Sequence, residues 1–265
     1  VKLTIIGCSG SMSGKDSPAS SYLLQAHGPD EAGNDRTWSI ILDFGPGAMG
    51  HLLRYADPAR IDGMFLSHLH ADHCVDIVGM QVYRRWYPEG ALPRIPVFSP
   101  GDGAARTRGI SGDPSEETYA SEFEFQQIGP ADTVKIGPFN IEFYAGYHSV
   151  PSVAMRISGP SERDPNELVT MTYTGDTDYI SSVVDAARGV DLLLCEAAFE
   201  EERDLVEGIH LTGLRAGRIA AEGGVGRLLL THLQPWTSPQ RNVRDARSLY
   251  SGDVEAVRAG EVYTI

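Results

Sequence analysis

Six consecutive residues, His68-Leu69-His70-Ala71-Asp72-His73, place four metal-type donors directly after an apolar run, Gly63 to Ser67. Imidazole suits zinc and other first-row metals, and a carboxylate adds charge neutralisation and can orient a bound water. A lone histidine in a turn is ordinarily an incidental polar residue. Three with an aspartate at this spacing are not, provided that partners arrive from elsewhere in the chain. They do, each where a β-type run ends: His148 follows FYAGY, Asp176 follows TMTYTG and His232 follows RLLLT. Loops at one edge of a sheet framework converge on a rigid frame, so strand-end placement is where a site is expected. His27 and His51, in a loop and a helix, are read as ordinary surface residues.

The chain that must carry this cluster has 265 residues, 42% of them apolar. That is enough to build a core, and nothing in it has the signature of disorder. Short β-type and helical runs alternate with no dividing linker, so residues 1–265 are read as one α/β domain. Strands are expected over Lys2 to Gly7, Tyr22 to Ala26 and Trp38 to Asp43, with His27 to Thr37 as a hairpin loop. A helix opens after Asp43-Phe44-Gly45-Pro46-Gly47 and runs through Arg54, and another follows the histidine cluster to about Trp86. In the second half, strands are expected at Phe139 to Tyr147, Val153 to Ile157, Val169 to Tyr173, Val190 to Cys195 and Arg227 to Thr231. Helices are expected near Tyr179 to Ala187 and Thr212 to Ala221. Strands with helices on both outer faces suggest a four-layer αβ/βα sandwich. Residues 99–120, rich in Gly, Ser and charge, read as a mobile insertion, and no repeat of fixed period is visible.

Charge narrows the partners. Against 36 Asp+Glu there are 22 Lys+Arg, a formal net charge of −14, and only three are lysines: Lys2, Lys15 and Lys135. A protein that holds a polynucleotide neutralises phosphates with clustered cations, and no such cluster is present. The trio Arg241, Arg244 and Arg247 reads as a solvated helix face. Cys8, Cys74 and Cys195 are odd in number and widely spaced, fitting neither a disulfide framework nor a CxxC zinc site. With no export-type leader and no apolar run near the ~20 residues needed to span a bilayer, the expectation is a soluble, cytoplasmic protein with no membrane partner.

HLHADH, the strand-end His148, the GDT at Gly175 to Thr177 and the THL at Thr231 to Leu233 together resemble the metallo-β-lactamase superfamily, in the right order over nearly the whole chain. The resemblance implies two divalent metal ions, with zinc, manganese and iron all fitting donors of this kind. His68, His70 and His148 would hold one; Asp72, His73 and His232 the other; Asp176 would bridge them. Asp43 matches the family's earlier strand-end aspartate, which supports the site without being a ligand. Cys195-Glu196-Ala197-Ala198 is similar to the HEAT motif of the ribonuclease Z group, and His210-Leu211-Thr212, lying 22 residues before His232, to its HST motif, whose histidine is a general acid. The implied catalytic residues are therefore Asp72, His210 and Glu196. In that reading a hydroxide shared by the metals attacks phosphorus, Asp72 orients it, and His210 protonates the leaving oxygen. Glu196 holds His210, or else supports a metal histidine.

Members that process tRNA 3′ ends carry a long basic arm between the third metal histidine and the bridging aspartate. Here only residues 149–175 lie between, and Arg156 and Arg163 against Glu162, Asp164 and Glu167 give a net of −1. GCSGSMSGKDSPASSYLL, LSHLHADHC, GVDLLLCEAAF and LLLTHLQPWTS look most like a bacterial branch of cyclic-nucleotide phosphodiesterases. The leading expectation is hydrolysis of a small 3′,5′-cyclic nucleotide, chiefly cyclic AMP. The rivals are a ribonuclease Z-type tRNA 3′-processing endonuclease, a thioester or lactone hydrolase on the same metals, and a non-catalytic binding protein. Relatives of this kind often form dimers, so a homodimer is also an expectation. The Gly7 to Gly14 loop could add backbone N–H donors for the substrate. Trp236 is a candidate base-stacking surface, whereas Tyr83 and Trp86 are read as core packing first.

Overall fold

The computed structural model describes all residues from Val1 to Ile265 and contains fourteen strands in two seven-stranded sheets. The first sheet takes β1 (Lys2–Gly7), β2 (Ser21–Pro29), β3 (Asp35–Leu42), β4 (Gly63–Phe65), β5 (Ile95–Ser99) and β6 (Phe123–Gln127). The second takes β7 (Thr133–Ile136), β8 (Phe139–Ala145), β9 (Val153–Pro160), β10 (Leu168–Tyr173), β11 (Leu192–Glu196), β12 (Arg227–Thr231) and β13 (Asp253–Ala256). The last strand, β14 (Val262–Thr264), returns to the first sheet beside β1. In spatial order the two sheets are alike: three antiparallel pairings, then three parallel ones. The halves thus echo each other in topology, a repeat that no fixed sequence period reveals.

Three apolar clusters correspond to three interfaces between four layers. Between the sheets pack Leu3, Ile5, Tyr22, Leu24, Leu42, Phe65, Phe139, Ile141, Met155, Leu192, Leu194 and Leu229. Over the outer face of the first sheet lie α1 (Ala48–Leu52), α2 (Ala71–Cys74), α3 (Ile77–Arg85) and α4 (Gly103–Ser111), closing on Leu23, Ile41, Met64 and Val97. Over the second lie α5 (Ser181–Ala187), α6 (Gly213–Gly223) and α7 (Pro239–Arg247), closing on Leu193, Cys195, Leu228 and Leu230. Both faces of β11 and β12 are covered, which is why LLLC and RLLLT read as continuous apolar runs rather than alternating ones. The expected αβ/βα sandwich is the fold observed.

Several local expectations are corrected. The segment from 99 to 120 is no mobile insertion: it holds α4, capped by Asp102 Oδ1 accepting from Ala105 N, and it buries Thr107 and Tyr119. Gly109, Gly112, Asp102, Asp113 and Glu116 are exposed, while Gly103 packs inward against Phe125. The hairpin loop after β2 is shorter than expected, because β2 and β3 stay paired out to Pro29 and Asp35 and Asp30 closes the turn. Trp86 caps α3 at 75% exposure and is not a core residue. Arg241 is not simply solvated; it reaches Glu200 and the Glu201 carbonyl.

Candidate metal centre

The histidine cluster changes conformation partway through, and that change aims its donors. His68 follows β4, and His70, in extended backbone, caps α2, so Asp72 and His73 fall in its single helical turn. From the second sheet come His148 after β8, Asp176 after β10, Glu196 at the end of β11 and His232 after β12. Two close approaches make the meeting of the halves possible. A Cβ on Gly175, where φ is +57°, would stand 2.6 Å from Ser67 Cβ, and one on Gly10 would stand 2.1 Å from the His232 carbonyl oxygen. Only glycine tolerates either position.

The first donor set is three imidazoles. His70 Nδ1 lies 3.1 Å from His68 Nε2 and 3.0 Å from His148 Nε2. Nitrogens held about 2.0–2.1 Å from one tetrahedral cation stand roughly 3.3 Å apart, so this spacing is near that of a metal tripod. His148 donates from Nδ1 to the Ile209 carbonyl at 2.7 Å, which leaves Nε2 as the donor to the site. Burial, helped by the neighbouring imidazoles, pushes His68 well below its ordinary range and lowers His70 as well, favouring the neutral form that binds metal.

The second set is Asp72, His73, Asp176 and His232. Asp176 Oδ1 is 3.2 Å from His73 Nε2; its Oδ2 is 3.3 Å from His232 Nε2 and 3.7 Å from His68 Nε2. This one carboxylate therefore faces both sets. Asp72 turns Oδ2 towards His73 and His232, at 3.4 and 3.8 Å. Burial opposes charge on both aspartates, but His232, His73 and His68 outweigh it at Asp176 and hold that carboxyl well below the usual range; His73 does the same at Asp72. Behind His73, Asp43 Oδ2 accepts from His73 Nδ1 at 2.7 Å, from the Ser67 hydroxyl at 2.7 Å and from the Tyr173 hydroxyl at 2.6 Å. Burial disfavours a charged His73, yet Asp176 and Asp43 together hold it well above its ordinary range. Ser20 Oγ lies 2.8 Å from His232 Nδ1.

Beside both sets stands His210, buried, with Nδ1 2.9 Å from Glu196 Oε1. Glu196 also accepts from Thr177 N and Ala198 N and touches no histidine of the donor sets, so of its two expected placements the structure shows the one on His210. Burial works against the imidazolium, but the Glu196 charge and hydrogen bond prevail and push His210 up to about 9.

The donor chemistry fits divalent metal ions. His73 Nε2 and Asp176 Oδ1 are buried with no hydrogen-bond partner, although each faces the other donors. Leaving such atoms unpaired costs free energy, which a cation between them removes. All seven expected donors converge here, with His210 and Glu196 alongside. The Gly7 to Gly14 loop serves differently from the expectation: the N–H groups of Cys8, Ser9, Gly10, Met12 and Gly14 are spent on Ser17 Oγ, Pro18 O, Leu233 O, Gly10 O and Ser17 O, and Ser11 N faces His232 Nε2. The loop braces His232. Ser20, Ser67, Tyr173 and Ile209, which orient the donors, carry no motif and were not singled out by sequence reasoning.

A paired-sheet sandwich with this donor set at one edge defines a metallo-hydrolase of the metallo-β-lactamase fold. Residues 38–233 match the β-lactamase superfamily domain, and the chain belongs to that family. An uncharacterized protein of Mycobacterium leprae is 38% identical over 100% of this chain and 89% of its own length. YhfI of Bacillus subtilis, a probable metallo-hydrolase, is 29% identical over 99% of each chain, and its crystal structure superposes with a TM-score of 0.84 at 28% identity over 99% of this chain and 98% of that one. Human tRNase Z, short form, shares the fold at a TM-score of 0.73 and 18% identity, over 100% of this chain and 99% of that one. No helix is long and apolar enough to cross a membrane.

Proposed function

We propose that the protein is a dinuclear metal-dependent phosphodiesterase acting on a small 3′,5′-cyclic nucleotide, cyclic AMP first among them. The observation that carries this reading is the buried His210–Glu196 pair beside the two donor sets. With Nδ1 engaged by Glu196, Nε2 is the atom that delivers a proton to a departing alkoxide. An imidazole pushed up to about 9 holds that proton at neutral pH. A thiolate leaving group needs little such help, which weighs against a thioester substrate. When bound, two divalent ions supply Lewis acidity and neutralise charge on the phosphoryl oxygens. His68, His70 and His148 would hold one, Asp72, His73 and His232 the other, with Asp176 between them. Asp72 is placed to orient the attacking water, and the Asp43, Ser20 and Ile209 contacts fix the imidazole rings.

A ribonuclease Z-type activity is the second reading, favoured by relatives of that name, among them one from Methanopyrus kandleri at 24% identity over 94% of this chain and 92% of its own length. Against it, the span between His148 and Asp176 is used up by β9, β10 and a seven-residue turn, with no room for an RNA-gripping arm. The deciding experiment incubates metal-loaded protein with cyclic AMP and, separately, with a precursor tRNA. Release of AMP without trailer cleavage is expected; clean 3′ trailer cleavage at nanomolar enzyme with no AMP released reverses the ranking.

A further inference from the structure

Eleven large apolar side chains are exposed on this protein, and five of them gather on the loops around the metal centre. Tyr147 (50% exposed) precedes the donor His148. Leu205 (80%) and Val206 (54%) lie five and four residues before His210, Trp236 (58%) lies four after His232, and Met12 follows Ser11, whose N–H faces His232 Nε2. These loops are tied together. The Tyr147 ring lies against Gly208, where an added Cβ would be 2.9 Å from Tyr147 Cζ. Asp178 accepts from Gly208 N through Oδ2 and donates its own N–H to the Tyr147 carbonyl. Arg203 donates to the Trp236 carbonyl and to Thr237 Oγ1. Leu205 and Val206 thus sit at the apex of a loop pinned at both ends. Exposed apolar groups collected at the mouth of a polar site mark recognition of a ligand.

The charge of the same loop says what kind. Residues 200–207 hold Glu200, Glu201, Glu202, Asp204 and Glu207 against Arg203, a net of 1 − 5 = −4. Arg241 reaches Glu200 and Glu202 and offsets one of these charges, but the loop stays net negative with Glu207 exposed, so a second phosphate or a polynucleotide tail arriving here meets like charge. A flat, uncharged ring meets apolar surface.

We propose that Tyr147, Leu205, Val206 and Trp236 form the recognition rim for the planar, uncharged heterocycle of a nucleoside phosphodiester, seated on the His210 side of the metals. The rim rests on the phosphodiester reading above and goes further by assigning the base-binding surface. It sets specificity through affinity, since stacking on one aromatic is worth about 5–150-fold per base.

The test compares thymidine 5′-p-nitrophenyl phosphate with methyl p-nitrophenyl phosphate, which share a leaving group and differ in carrying a nucleoside or a methyl group. The metal-loaded wild type is expected to show a KM at least about tenfold lower for the nucleoside ester. Tyr147→Ala, Trp236→Ala and the double variant Leu205→Ser/Val206→Ser are each expected to close most of that gap through KM, with kcat changing less than KM. Leu168→Ala, an exposed residue on β10, keeps it. Equal KM values in the wild type, or variants that lower kcat alike on both esters, overturn the rim. So does a dimer that the Leu205→Ser/Val206→Ser variant dissociates while both KM values move together, because the patch is then a subunit contact. Cyclic AMP left intact beside a tenfold gap between the esters supports the rim and removes the cyclic-nucleotide reading; cyclic AMP hydrolysis with no gap does the reverse.

Discussion

The two donor sets differ in charge, depth and bracing. The first offers three imidazoles, of which His70 and His148 are half-buried, and meets a carboxylate only through Asp176. The second offers two carboxylates and two buried imidazoles, with Asp43 and Ser20 fixing the rings from behind. With Asp176 shared, the second set still has the further charge of Asp72 and the deeper donors, so its ion is expected to exchange more slowly than that of the first.

Removing the metals is the largest expected effect. Dialysis against a chelator should abolish hydrolysis, and metal analysis during dialysis should show two steps, with the ion of the imidazole set leaving first; one concerted step would erase the contrast. Next comes His210→Ala, which belongs to neither set: cyclic AMP turnover should fall by about 10² to 10⁴ with metal content kept, while an activated p-nitrophenyl diester is largely spared. Equal losses on both esters would sink the general-acid role. Asp176→Asn removes the charge shared by both sets. Breaking a buried ion pair costs about 3–5 kcal/mol, so metal titration should show both ions weakened by roughly 10²- to 10⁴-fold. Asp43→Asn tests the bracing alone: a loss of about 10- to 100-fold in affinity is expected for the second ion, with the first little affected. Smallest is Arg188→Ala, which deletes an exposed pair with Asp185 far from either set and should shift stability by less than about 0.5 kcal/mol in denaturant titration.

Much of the site could be read from the chain because its donors sit where apolar runs stop. A run covered on both faces is conspicuous, and the residue after it lies at the sheet edge. The supports were silent for the opposite reason. Ser20, Ser67, Tyr173 and the Ile209 carbonyl matter only through partners 212, 24, 130 and 61 residues away, or one residue away in the His68 contact of Ser67, and a single serine or tyrosine has no spacing to betray it. Among strands, β5 carries Pro96, while β7, β13 and β14 have four, four and three residues; short edge strands leave too few positions for an alternating pattern. The loop at Gly7 to Gly14 offered N–H donors for a ligand as one option, because glycine marks any close approach. Here what approaches is the protein itself, at His232.

All three cysteines are free, so no disulfide ties the first sheet to the second. His68, His70 and His73 belong to one, and His148, Asp176 and His232 to the other. An ion held by Asp72, His73, Asp176 and His232 would act as a fastener, shutting a loop of 232 − 72 = 160 residues that the unfolded chain would otherwise leave open. Metal supply then governs lifetime as well as rate: starved of ions, the protein loses its chemistry and the clasp between its halves together, and its melting temperature should climb with free metal concentration.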